Sequence, residues 1–145
     1  MADTPIIVEQ VFAAPAEELW LAITDPDRMV QWYFDQIDEF QPEEGFSTSF
    51  TVTAQGRDFE HLWTVTESVP GRRLRHSWRY AGIAGDGLVT WEVFREGSGS
   101  RLRLTFEGIE TFPQDDPLFS REACEGGWQY FVCQQLKMFL DGGAG

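Results

Sequence analysis

The sequence predicts an α+β fold: a curved antiparallel β-sheet, two short helices after its first strand, and a long C-terminal helix that encloses a cavity against the sheet. Three patterns carry this. Apolar and polar residues alternate with period two through most of residues 37–110, two short helix signals lie at 15–32, and a helical apolar stripe closes the chain. Strands that alternate so cleanly bury one face only, and an apolar helix is the natural cover for that face.

IIVEQVFA (6–13) alternates as a strand, with Ile7 and Val11 on one face. PAEELWLAI follows, where Pro15 suits a first helical position and Glu17 and Glu18 suit the positive end of the helix. Leu19, Ala22 and Ile23 give that helix a short apolar stripe. Thr24 and Asp27 match a capping box, so TDPDRMVQW starts a second short helix directly after the first.

The period then changes to two. Phe46, Thr48, Phe50 and Val52 form one face, and Phe59, His61, Trp63, Val65 and Glu67 the next. SVPGRR (68–73) is a turn, after which Leu74, His76, Trp78 and Tyr80 alternate with Arg73, Arg75, Ser77 and Arg79. Beyond GIAGDG, Val89, Trp91 and Val93 share a face, and a GSGS turn leads to Leu102, Leu104 and Phe106. The expected plan is a meander of about six strands in a single domain spanning residues 1–145.

TFPQDDP (111–117) reads as a loop and the remainder as helix. Trp128, Phe131, Val132, Gln135, Leu136 and Phe139 fall at i, i+3, i+4, i+7, i+8 and i+11, one face of an α-helix. Gly126 and Gly127 sit inside this pattern, although each glycine in a helix costs roughly 1 kcal/mol relative to alanine. They imply a close approach of the helix to the strands, or a route for a ligand. The expected helix runs through the pair with Trp128, Phe131 and Gln135 facing the sheet and Cys133 facing away.

Composition narrows the function classes. Hydrophobic residues make up 42% and charged residues 24%, ordinary values for a globular chain. A formal net charge of −13 argues against nucleic acid and anionic membrane surfaces as partners. No window approaches the roughly 20 apolar residues of a membrane span, and no signal-peptide pattern opens the sequence. Cys124 and Cys133 would lie about 13 Å apart along one helix, too far to bridge. Free thiols without a targeting signal make a cytoplasmic location the expectation.

VEQVFAAPAEELWLAITDPDRMVQWY, WEVFREGSGSRLRLTFEG and the GGW before the closing helix carry a resemblance that covers essentially the whole chain. They resemble the activator of Hsp90 ATPase family within the START and Bet v 1-like superfamily. The resemblance implies a helix-grip fold, in which the sheet grips the long helix around a cavity. Members of the superfamily commonly bind hydrophobic small molecules, a few are enzymes, and some regulate chaperones. The eukaryotic chaperone activator carries a further N-terminal domain and an asparagine- and tryptophan-rich motif. Neither is in this sequence, so the Hsp90 activity is not carried over.

The candidate ligand-binding residues are the inward aromatics and the polar groups among them. On the strands these are Phe50, His61, Trp63, His76, Trp78, Tyr80 and Trp91; on the closing helix, Trp128, Phe131 and Gln135. Trp32 and Phe34 join them from QWYF at the end of the second helix; Trp32 either plugs the core or rims the cavity. With a tight PG turn joining Val69 to Arg72, His61 faces Tyr80, Trp63 faces Trp78 and His76 faces Val65. The two histidines are then about 13 Å apart and cannot share a metal ion. Each is either a neutral imidazole bonded within the core or a polar anchor for a ligand, and Gln135 poses the same choice. No catalytic group, metal or cofactor is indicated.

The leading expectation is a non-enzymatic binder of a small, largely hydrophobic molecule. Two alternatives stand beside it. One is a chaperone-associated or other protein-interaction module, with the acidic DQIDEFQPEE (35–44) as its contact and a homodimer as a further possibility. The other is a cyclase- or hydrolase-like enzyme using a cavity histidine.

Overall fold

The computed structural model describes residues 4–54 and 56–142. Strand β1 (Ile6–Phe12) leads into helices α1 (Ala16–Thr24) and α2 (Pro26–Trp32). Strands β2 (Ser47–Ala54), β3 (Arg57–Val69), β4 (Arg73–Tyr80), β5 (Ile83–Glu96) and β6 (Gly99–Glu107) then form an antiparallel meander. Helix α3 (Arg121–Gln129) closes the chain and continues, π-helical, through Tyr130–Leu136 and Met138–Gly142. The sheet order is β1-β6-β5-β4-β3-β2, so β1 returns beside the last strand and the meander itself has five strands rather than about six. Residues 37–45, included in the expected meander, form an irregular connection that buries Ile37 and Phe40.

In β1 the buried face is Ile6, Val8 and Phe12, while Ile7 and Val11 remain 52% and 49% exposed on the outer surface. The first helix carries its apolar stripe as expected, with Leu19, Ala22 and Ile23 buried. The start of α2 differs from the expected capping box. Asp25, not Thr24, caps it, accepting the Asp27 N–H at 3.1 Å with Pro26 as first helical residue. The Thr24 hydroxyl instead donates to the Trp20 carbonyl at 2.7 Å, closing α1. With Asp25 one position later than Thr24, the two helices share a single junction residue.

The β3–β4 hairpin shows how turn chemistry sets register. Arg72 N–H donates to Val69 O at 2.9 Å, and Gly71 takes φ +77°. Proline followed by a positive-φ glycine is the signature of a type II turn. The strands, however, begin by pairing Val69 with Arg73, one residue later than a turn joining Val69 to Arg72 implies. An irregularity between Val65 and Glu67 takes the extra residue back, and beyond it His61 faces Tyr80 and Val65 faces His76. Both expected histidine partners therefore hold.

The winding of the closing helix corrects two expected orientations. Its buried stripe is Trp128, Val132 and Leu136, spaced every four residues. In an α-helix, residues four apart drift by about 40°. The wider i→i+5 winding of a π-helix keeps them closer to one line. The same change turns Cys133 toward the sheet and Gln135 off it. The Cys133 thiol lies 3.8 Å from the Glu9 carbonyl on β1, and does not face away. Lys137 Nζ donates to Val11 O at 3.1 Å, and the Asp141 carboxylate accepts the Ala13 N–H at 2.8 Å. The helix thus seals the free edge of β1.

The glycine pair lies inside α3, and the helix is continuous through it. The expected close approach is absent: a Cβ at Gly126 or Gly127 would meet nothing within 4 Å. Gly127 has a different neighbour, the cavity described next.

Candidate ligand cavity

Between the sheet, the start of α3 and the segment joining it to β6 lies a cavity of about 190 Å³. Strands β3 and β4 supply His61, Trp78 and Tyr80, and the inward alternation of each strand places them side by side. Phe34, just beyond α2, and Trp128 and Phe131 on the closing helix cover them. Trp78 and Trp128 meet edge to face with ring centres 5.3 Å apart, and His61 and Tyr80 do so at 4.8 Å.

The far wall comes from the connection after β6, where Ile109, Phe112, Leu118 and Phe119 face the cavity. This segment has no apolar period, because it is built from two 3₁₀ turns, Ile109–Thr111 and Pro117–Phe119. Its own polar side chains hold it. Gln114 Nε2 donates to the Ile109 and Phe112 carbonyls at 2.7 and 2.8 Å. Asp116 accepts the Leu118 N–H at 3.1 Å and an Arg57 N–H at 2.9 Å. Phe112 lies against Gly85, where a Cβ would stand 2.1 Å from the ring. Only glycine admits the ring there, and at φ +142° its backbone also disfavours any side chain.

The structure divides the twelve sequence-based candidates. Phe34, His61, Trp78, Tyr80, Trp128 and Phe131 line the cavity. Trp32 is a core plug, its indole N–H donating to Ala22 O at 2.8 Å. Phe50 stacks on the outer side of His61 at 4.9 Å, Trp63 packs against His76 at 4.8 Å, and Trp91 is buried beside Trp32. Gln135 borders a separate shallow groove with Gln31, Met138 and Phe139. Phe106, Ile109, Phe112, Leu118, Phe119, Ala123, Cys124 and Gly127 complete the lining and were not among the candidates. Phe106 was legible as an inward strand residue; the pairing of Leu118 with Phe119 inside a proline- and aspartate-rich stretch was the only signal for the far wall.

The two histidines have different fates. His76 is fully bonded: Nδ1 donates to Ser77 O at 2.9 Å, and Nε2 accepts the Trp91 indole N–H at 3.0 Å. Burial lowers its pKa to about 4. His61 also has Nδ1 3.0 Å from a carbonyl, that of Phe59. A carbonyl only accepts, so Nδ1 carries the proton and Nε2 is left as an acceptor. Burial lowers the His61 pKa to about 4 as well. Burial likewise raises Tyr80 to about 12, and Cys124 to about 11 against the pull of the Trp128 indole. At neutral pH the cavity is therefore uncharged, and no Asp, Glu, Lys or Arg lines it. Among the described residues no three His, Cys, Asp or Glu side chains cluster as metal ligands.

The family described as activator of Hsp90 ATPase homolog 1-like protein matches residues 13–141. The chain belongs to that family. Among solved structures, protein CV1439 from Chromobacterium violaceum is 26% identical, covers 94% of this chain and 96% of its own, and superposes with a TM-score of 0.77. CalU16 from Micromonospora echinospora is 29% identical over 94% of this chain and 75% of its own, with a TM-score of 0.70. The Aha1 dimer from Colwellia psychrerythraea, 17% identical over 99% of this chain and 100% of its own, shares the fold with a TM-score of 0.71. No curated protein matches the chain significantly. No helix among the described residues is long and apolar enough to cross a membrane.

Proposed function

We propose that this protein binds a small, largely apolar ligand in the cavity between its sheet and its closing helix. The observation that carries the reading is an uncharged, aromatic-walled space of about 190 Å³ that the side chains leave unfilled. Apolar space of this order is what small hydrophobic molecules occupy: a dry engineered cavity of about 150 Å³ takes up benzene. The titratable groups favour binding over acid–base catalysis. A general acid or base works best with a pKa near the ambient pH, whereas His61, at about 4, and Tyr80, at about 12, lie far from neutrality.

Mass spectrometry of the protein under non-denaturing conditions, paired with a solvent extract of the same sample, tests this. A bound small mass is expected in the wild type, and its loss in Gly127→Leu, which adds bulk at the cavity wall. Protein that carries no bound mass and takes up no added apolar compound would overturn the reading.

A second reading rests on the acidic connection. Asp35, Asp38, Glu39, Glu43 and Glu44 are all exposed there, while Ile37 and Phe40 anchor the backbone. That arrangement suits a contact with a basic protein surface. Reversing these charges should weaken capture of such a partner; capture that survives the reversals would remove the acidic contact from consideration.

A further inference from the structure

We infer that the cavity selects neutral, single-ring ligands bearing one hydrogen-bond donor, a phenol being the simplest, and that His61 Nε2 is the acceptor that holds them. The inference deepens the ligand-binding reading above and rests on it.

The space matches about one ring in size. Typical pockets for drug-sized molecules run from about 300 to 1,000 Å³, and this one is well below that range. The walls suit a flat aromatic guest. Trp78 stands edge to face to His61 at 5.2 Å, and Trp128 edge to face to Trp78, so the wall they form offers a ring set against it both faces and edges to pack on.

Polarity then sets the class. The Phe59 carbonyl fixes the proton on Nδ1 of His61, so the opposite ring nitrogen offers a lone pair and no proton. Nε2 has no hydrogen-bond partner among the described residues, and its ring borders the cavity. It differs in this from Nε2 of His76, which Trp91 occupies. It also differs from the Tyr33 hydroxyl and the Trp63 indole N–H, which are sealed in the packing without partners. A ligand with only acceptor atoms, or with none, leaves Nε2 dry and unpaired; one with an O–H or N–H satisfies it. A charged ligand would enter with no counter-charge on any wall.

Binding of phenol, toluene, anisole and benzoate to the full chain, read by tryptophan fluorescence and calorimetry, tests the inference. Toluene matches phenol in heavy atoms without the donor, and anisole keeps the oxygen without it. Phenol is expected to bind about tenfold tighter than anisole, the scale of one buried hydrogen bond, and benzoate weakest of the four. Phenol should also shift the His61 Nε2 nitrogen resonance, and toluene should not. His61→Phe is expected to abolish the phenol advantage while keeping toluene binding, and His61→Gln, with an amide oxygen, to restore part of it.

Equal affinities for phenol, toluene and anisole with an unmoved His61 resonance would overturn the inference and leave the cavity reading intact. Tightest binding of benzoate would overturn it too, as would an undiminished phenol advantage in His61→Phe. If none of the four binds and no ligand is extracted, the cavity reading fails and this inference with it. The wild-type panel decides the matter even where a His61 variant does not fold.

Discussion

The Trp91 indole N–H donates to Nε2 of His76 at 3.0 Å, and the other ring nitrogen of His76 is committed to the Ser77 carbonyl. The ring is thus locked neutral in the core. In the unfolded chain it would protonate near its ordinary 6.5, and in the folded chain only near 4. Between those values the unfolded state binds more protons, so stability rises with pH and falls on acidification through this window. One histidine shifted this far is worth roughly 3 kcal/mol across the window. Chemical denaturation at pH 7 and at pH 4.5 should show the loss, and the His76 ring resonances should not titrate between pH 8 and 5. A ring titrating near 6.5 in the folded protein would refute the locked state.

Replacing His76 by Leu orphans the Trp91 indole. The expected cost at neutral pH is about 1–3 kcal/mol for the unpaired donor. The same variant should also lose most of the His76 contribution to the acid sensitivity, which a packing defect alone would leave in place.

Gly126 and Gly127 make a matched pair for mutation. Alanine at either removes a helix-interior glycine, and neither Cβ meets an obstacle. Each substitution is expected to stabilise the fold by about 0.5–1 kcal/mol. Only Gly127 borders the cavity, so only Gly127→Ala should weaken uptake of a ligand. Thermal melts and a binding titration on both variants separate the two effects.

Cys124 lies in the cavity wall with its thiol pushed up to about 11. Thiolate is the reactive form, and free cysteine ionises near about 8.5, so its alkylation at neutral pH should run at least about a hundredfold slower than that of free cysteine. A bound ligand should slow it further. Rapid labelling of Cys124 in the folded protein would contradict the burial described.

Asp116 ties the far wall to β3 through Arg57 and caps the turn that carries Leu118 and Phe119. Asp116→Ala is expected to cost about 1 kcal/mol through the lost cap and to loosen ligand binding. Asp116→Asn keeps an acceptor for the Leu118 N–H and should retain most of both. Equal losses in the two variants would place the effect in the ion pair instead.

Much of this was legible in the sequence wherever a side-chain period was unbroken. Leu74, His76 and Trp78 face inward on β4, and Arg73, Arg75 and Arg79 do not, as their alternation requires. The pairings of His61 with Tyr80 and of His76 with Val65 were also legible, although the turn that fixes them is one residue longer and an irregularity in β3 compensates. Phe112 and Phe119 were not, because 3₁₀ turns held by Gln114 and Asp116 impose no apolar period. A helical wheel turns Gln135 toward the sheet and Cys133 away from it because it assumes 3.6 residues per turn, whereas this helix widens after Gln129. The same six aromatic or imidazole side chains that line the cavity could be recognised as inward-facing, but which inward residues border space and which border one another depends on packing that no period encodes.

The two borders of the sheet are treated unequally. The closing helix covers β1, whereas β2, with the sequence STSFTVTA, pairs on one side only and carries no lysine, proline or charge. Such an uncharged, β-branched border is a template on which another chain can extend the sheet. A net charge of −13 opposes such pairing through mutual repulsion. Below about pH 5, as the carboxylates protonate, that repulsion fades. The acidic surface then acts as a colloidal guard for one strand, and a single lysine at Thr51, which is exposed on that strand, would do the same work locally.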